Sequence, residues 1–240
     1  MWPEVFEITM RAFDKHGQAY PWAGQPFFPV FMGDSLTNGT TSSITALTNT
    51  CAYLIASGGQ SYSLGLGPGQ WGVLATPSIK LNALELDAQK HIDGLYAVLG
   101  IPILLVFYAY RNDKGGASFV ARVKSFIAAR RAASPVPIKV VLHTATDYSE
   151  DGIVDDATRN AYNSQWDTEY ANTTTGLDGY CRIHNSPHLG ADGSWSTFPT
   201  YLHTDHLHWS DLGAAEVATY LGPVVQSIYG GASGLVVSSI

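Results

Sequence analysis

The sequence predicts a doubly wound α/β/α three-layer fold: a five-stranded parallel sheet in flavodoxin-like order 2-1-3-4-5, with helices on both faces. Three observations predict it. Short apolar runs alternate five times with longer stretches of helical periodicity. The run from Ile101 to Tyr108 is apolar throughout, as a central parallel strand buried on both faces must be. The chain has 240 residues, 45% hydrophobic and 14% charged, enough for one sizeable core.

The elements follow in order. Phe27 to Met32 reads as a buried first strand. Thr41 to Ser57 is helical, with Ile44, Leu47, Cys51, Leu54 and Ile55 on one face. Ser61 to Leu64 fits a short second strand. Leu81 to Leu99 carries one apolar stripe, Leu81, Leu84, Ala88, Ile92, Leu95 and Leu99, and Gly100 stops it. Ile101 to Tyr108 is the third strand. Phe119 to Ala133 is a helix ending before Pro135, and Val136 to Leu142 is the fourth strand. Asp155 to Tyr170 is a helix capped by Asp155 or Asp156, and Tyr180 to His184 is the fifth strand. Asp211 to Tyr229 is the last helix, with an interruption expected at Pro223. Residues 1–26 read as an extension or linker, 27–229 as the domain and 230–240 as a tail.

Composition excludes several classes. With 13 Lys and Arg against 20 Asp and Glu the net charge is -7, so the basic footprint of a nucleic-acid partner is missing. The longest apolar run is too short to span a bilayer, and no basic segment leads into an apolar export signal. An extracellular location is compatible with these features, but the sequence names neither compartment nor oligomeric state. Cys51 and Cys181 are too few for a disulfide framework. On the predicted strand order they stand too far apart to pair, so two free thiols are expected.

Ligands of such sheets bind beyond the carboxyl ends of the strands. Ser35, in Gly33-Asp34-Ser35-Leu36, lies at the end of the first. A serine hydroxyl needs a base to become a nucleophile, and "TDHLHWSDLGA" offers one: Asp205 and His208 stand three residues apart before the last helix. Asn112, after the third strand, offers a side-chain amide to an oxyanion. The turn "GLGPGQWG" offers a backbone N–H, and Ser35 N–H is a further donor. Other readings stand beside this one. His203, Asp205, His206 and His208 are zinc-ligand types at close spacing, with His143, Asp147, His184 and His188 available from other loops. "GPGQWG" matches a dinucleotide glycine pattern but does not follow the first strand. Trp22, Trp71, Tyr110, Trp195 and Trp209 suit a non-catalytic sugar-binding surface as well as an enzyme.

Four of these segments resemble the GDSL-type, or SGNH, hydrolase family. Gly33-Asp34-Ser35-Leu36 resembles its first block, Gly69 (with Gly67 close by) its second, Asn112-Asp113 its third and Asp205-x-x-His208 its last. Tyr110 stands where the third block of the family has glycine. The resemblance runs from Phe27 to about Tyr220. It implies Ser35 as nucleophile, His208 as base, Asp205 as its orienter, and Ser35, Gly69 and Asn112 as the oxyanion hole, with no cofactor or metal. The implied activity is ester hydrolysis through an acyl-enzyme. The long segment Asn185 to Thr204, with Trp195, Phe198 and Tyr201, together with the aromatic-rich loops and the acidic balance, points to a short acyl group, such as acetyl, removed from a carbohydrate, the partner being a small-molecule or polysaccharide ester. Asp34, Tyr110, Trp71, His206 and Trp209 are the expected substrate-binding residues. Lipase-like or thioesterase-like substrates and a metal-dependent hydrolase are the alternatives.

Overall fold

A computed structural model of the protein describes residues 25–38, 51–58, 63–67, 70–150, 153–172 and 176–233. Trp22, the first part of the helix expected from Thr41, Ser61 and Tyr62 of the expected second strand, Gly69, and most of the expected tail lie outside these residues.

Phe28–Gly33 forms β1, buried at every position. Ser35–Asn38 forms the single turn α1, and Cys51–Ala56 forms α2. Gly72–Ala75 is β2, and Leu81–Lys90 is α3. That helix continues through a π turn, His91–Tyr96, and a 3-10 turn, Ala97–Leu99. Ile103–Phe107 is β3, Gly116–Ala133 is α4 and Ile138–His143 is β4. A two-residue antiparallel pair follows, β5 (Ser149–Glu150) with β6 (Ile153–Val154). Asp156–Ala171 is α5, Gly179–Cys181 is β7, Ser194–Thr197 is α6 and Asp211–Ser233 is α7.

The main sheet has the order β2-β1-β3-β4-β7, and every neighbouring pair is parallel. This is the predicted 2-1-3-4-5 order. Helices α2 and α7 pack together on one face, while α3, α4 and α5 line the other. Strands β1 and β3 are buried at every position, and β4 at all but Lys139, as all-apolar central strands should be. Among the described residues no helix is long and apolar enough to cross a membrane.

Three elements differ from expectation. The second strand is Gly72–Ala75, not Ser61 to Leu64. It is an edge strand, half-buried throughout and led by glycine, so neither alternation nor β-branching marks it. The stripe of α3 holds for Leu81, Leu84, Ala88 and Ile92, but Leu95 is 51% exposed. The π turn adds to the helical repeat there and rotates Leu95 outward. Instead the Tyr96 ring packs against Phe28, their centroids 5.2 Å apart. The last helix runs unbroken past Pro223 and Gly230 to Ser233. Asp155 does precede α5, but its side chain makes no capping hydrogen bond. Gly100 ends the α3 segment in the left-handed conformation, φ 68°, as expected.

Cys51 and Cys181 are both buried free thiols, and burial pushes each up to about 12.

Candidate active site

The carboxyl end of β1 turns sharply into α1, and Gly33 makes the turn possible. A Cβ there would run into Thr37 Oγ1 and sit 3.1 Å from the Tyr108 carbonyl oxygen. Ser35 thereby opens α1 at the edge of the sheet, 7% exposed.

The segment after α6 closes on this edge. Leu202 and Trp209 form an isolated antiparallel bridge. Between them His203 N–H donates to His208 O at 2.8 Å, and His206 N–H to His203 O at 2.9 Å. Ser149 N–H donates to His206 O at 2.9 Å and ties the loop to β5. Trp209 is the anchor: it is buried, and its Nε1 donates to Thr146 Oγ1 at 3.2 Å. Its ring leans on His143, which stacks flat on Tyr108 with centroids 4.5 Å apart. Burial holds His143 down at about 4, so this floor is uncharged at neutral pH.

On that support Asp205 and His208 meet Ser35. Asp205 Oδ1 accepts the N–H groups of Leu207 at 3.0 Å and His208 at 3.1 Å, which aims the carboxylate back along the turn. Asp205 Oδ2 lies 2.7 Å from His208 Nδ1, and His208 Nε2 lies 2.8 Å from Ser35 Oγ. Burial raises the Asp205 carboxyl, but hydrogen bonds from the His208 ring and from the two backbone N–H groups outweigh it, and its pKa falls below the usual value. An ionised carboxylate only accepts, so His208 Nδ1 carries the proton and Nε2 is left to accept from the serine hydroxyl. The three side chains predicted from sequence therefore form a continuous relay.

The loops after β2 and β3 are clamped together by two consecutive residues. Asn112 Nδ2 donates to Ile79 O at 2.9 Å and to Asp34 Oδ2 at 3.3 Å. Asp113 Oδ2 accepts Leu81 N–H at 2.8 Å and so caps α3, whose own preceding residue, Lys80, makes no side-chain cap. Asn112 is thus brought to the Ser35 edge, with both amide hydrogens already engaged.

The expected oxyanion glycine is not placed as the sequence implied. Gly67 precedes β2, because the strand begins at Gly72. Gly69 lies outside the described residues, and the premise that it follows the second strand fails with the strand assignment. The loop that does follow β2 is Thr76 to Lys80, where Ser78 takes a left-handed φ of 60°.

Three expected substrate contacts are buried instead. Asp34 is 2% exposed, Tyr110 1% and Trp209 5%. Tyr110 turns into the core, its ring 4.7 Å from that of Tyr162, which in turn donates its hydroxyl to Ala109 O at 2.8 Å. It therefore braces the β3 loop against α5 rather than narrowing the site. Trp71 is half-buried and edges against Phe31. His206 keeps its place beside the catalytic turn, with the Trp195 ring 5.4 Å away and edge-on.

The alternative metal residues are dispersed. His184 binds Thr144 and Asp167; His188 lies between Tyr201 and Glu216. Among the described residues no group of His, Cys, Asp and Glu is placed to hold a metal ion. Asp147 instead belongs to a buried ionic knot that sequence reasoning missed. Arg159, 1% exposed, donates to Gly190 O at 2.8 Å and to Asp156 at 2.9 Å, also binds Asp192, and lies 3.4 Å from Asp147 Oδ1. Asp147 Oδ2 accepts Ser194 Oγ and Trp195 N–H, each at 3.1 Å. Burial pushes Asp156 up to about 6, helped by Asp147. The knot fastens the segment carrying Trp195 beside the turn of Asp205 and His208. Its signal was an arginine on the same helical face as Tyr162 and Trp166.

No family model matches the chain, and no curated protein matches it. Solved structures do match. A GDSL-like lipase from Bacteroides thetaiotaomicron superposes with a TM-score of 0.57 at 14% identity, over 93% of this chain and 99% of that one. A lipase/acylhydrolase from Enterococcus faecalis gives 0.53 at 15%, over 85% and 97%. A carbohydrate esterase family 2 enzyme with a carbohydrate-binding domain, from Corynascus thermopiles, gives 0.56 at 16%, over 91% and 70%. The chain has the fold of GDSL-like lipases and acylhydrolases.

Proposed function

We propose that the protein is a serine esterase that hydrolyses carboxylic esters through an acyl-enzyme. The observation that carries this reading is the relay from Asp205 through His208 to Ser35, with hydrogen-bond lengths of 2.7 and 2.8 Å. Ser35 Oγ attacks the ester carbonyl carbon while its proton passes to His208 Nε2. Asp205 holds the imidazolium that results. The carbonyl oxygen becomes an oxyanion facing Ser35 N–H and the Asn112 amide, with a backbone donor from the Thr76–Lys80 loop as the third partner. The tetrahedral intermediate collapses, the C–O bond to the alcohol breaks, and His208 returns the proton to the leaving oxygen. Water then attacks the acyl-enzyme with His208 again as base, and the acid and free Ser35 are restored.

The substrate proposed is a carbohydrate carrying a short acyl group, acetyl in the simplest case. The support is the aromatic segment fixed beside the catalytic turn, Trp195 against His206, and the shared fold with a carbohydrate esterase. Turnover of nitrophenyl acetate by wild type and by Ser35→Ala tests the first part. The variant should lose at least about a thousandfold in kcat while keeping its fold, and a phosphonate should label Ser35 in the wild type alone. Retention of roughly a tenth of wild-type activity would remove Ser35 as nucleophile. Esters graded in acyl length and alcohol test the second part: a preference for long acyl chains on simple alcohols would replace carbohydrate by lipid.

A further inference from the structure

Asp34 precedes the nucleophile and is buried, and its two carboxylate oxygens serve different partners. Oδ1 accepts Leu36 N–H at 3.0 Å, which fixes the carboxylate to the first turn of α1. Oδ2 accepts Asn112 Nδ2 at 3.3 Å. A primary amide has two hydrogens on that nitrogen. Ile79 O takes one at 2.9 Å, a normal length; Asp34 takes the other at the long end of the range.

We propose that Asp34 is the positioning residue of Asn112: its carboxylate holds the second amide hydrogen beside Ser35 until the oxyanion forming on the substrate takes that hydrogen over. The proposal rests on the serine-esterase reading. A short bond to Asp34 would have to be broken in the transition state; a 3.3 Å contact is given up cheaply. With no acceptor there, a half-buried N–H would be left free to seek water and the amide would turn away from Ser35. An anion beside a developing oxyanion would normally oppose it. Here buried Arg111, its guanidinium 3.4 Å over the Tyr148 ring, offsets the charge of Asp34. Burial itself pushes the Asp34 carboxyl up to about 7, so the group carries less than a full charge at neutral pH. Because Asp34 is covered it does not touch the substrate; its Oδ2 acts through Asn112, while its Oδ1 holds the turn that carries Ser35, and a double-mutant cycle separates the two paths.

A double-mutant cycle with Asp34→Ala, Asp34→Asn and Asn112→Ala decides this. Asn112→Ala should lower kcat roughly 100- to 1000-fold with little change in KM. Asp34→Ala should lower kcat roughly 10- to 100-fold, again with KM nearly unchanged. In the Asn112→Ala background the Asp34 substitution should cost less than about twofold more, because the group it positions is gone. Independent, multiplying losses, or a loss confined to KM, would overturn the proposal. The side-chain amide hydrogens of Asn112, followed by NMR in protein labelled at asparagine, give a readout that needs no turnover. Both should be protected in wild type, and one should lose protection in Asp34→Ala or, should that variant fail to fold, in Asp34→Asn. Unchanged protection would overturn the positioning role even in an active enzyme. An inactive wild type with the protection pattern intact would sink the esterase reading and leave the Asp34–Asn112 geometry standing.

Discussion

Ser35 sits between two aspartates of opposite character. The Asp205 side chain is 39% exposed, yet its carboxyl is held below the ordinary value. Asp34 is 2% exposed and is pushed up to about 7. In both, burial raises the pKa; Asp34 is buried far more deeply, and its donors do not offset that burial as those of Asp205 do. Asp205 receives the His208 ring and two backbone N–H groups. Asp34 receives the N–H of Leu36 and its own backbone N–H, one long amide contact and the charge of Arg111. Nearness to the nucleophile therefore does not decide which carboxylate works as an anion. On the proposed mechanism the partly exposed one stays ionised to hold an imidazolium, and the covered one carries only part of a charge where the oxyanion would form.

The sharpest way to break the comparison is Asp205→Asn. The carboxamide keeps the shape but loses the charge that orients and stabilises His208, so kcat should fall about 10³- to 10⁴-fold with the fold unchanged by circular dichroism. A loss below tenfold would mean that Asp205 is no more an active anion than Asp34.

A smaller effect lies in stability against pH. Between about 3.8 and 7 the folded protein keeps the Asp34 proton that the unfolded chain has released, so this group lowers stability as pH rises through that window. His143 works the other way. Its folded pKa is about 4 against 6.5 unfolded, so it adds stability as pH rises from 4 to 6.5. Each has a limiting slope of about 1.4 kcal/mol per pH unit, and in wild type the two slopes oppose each other. Asp34→Asn should therefore unmask a rise in denaturation midpoint from pH 4 to 6.5 that wild type lacks. The same titration of His143→Gln should show the converse, a fall across that window. Parallel profiles for wild type and Asp34→Asn would show that Asp34 is an ordinary ionised carboxylate.

The sequence made the centre of this molecule legible and its rim less so. β1 and β3 are apolar runs because both their faces are covered, β4 is one broken only by Lys139 before its terminal His143, and the spacing of Asp205 and His208 is the one the proposed relay to Ser35 needs. β2 was missed because four half-buried residues at a sheet edge leave no period to read. Moving that strand also removed the reason for choosing Gly69. Leu95 was misjudged because a π turn changes the repeat partway along a helix. Tyr110 and Trp209 suit a sugar-stacking face or packing under loops equally well in sequence, and the contacts with Tyr162 and Thr146 show both packed inward. Asp34, expected to bind substrate, is covered instead, because adjacency to Ser35 along the chain says nothing about which way a side chain points. Arg159 was legible in principle, since a cation on a buried helical stripe needs partners.

The edge position of β2 has a consequence for how the protein fails on heating. Edge strands with few buried contacts open at a lower free-energy cost than the core, as partial excursions that leave the rest of the domain folded. The loop that leaves β2 supplies the Ile79 carbonyl that fixes Asn112, and the Leu81 N–H that Asp113 caps. Each such opening releases the oxyanion amide while Ser35, His208 and Asp205 remain assembled on other elements. Catalysis should then fade reversibly below the melting temperature, and amide hydrogen exchange should be fastest, among the sheet strands, at Gly72–Ala75. On this account the activity is expected to be limited by heat at an edge of the sheet rather than in its core.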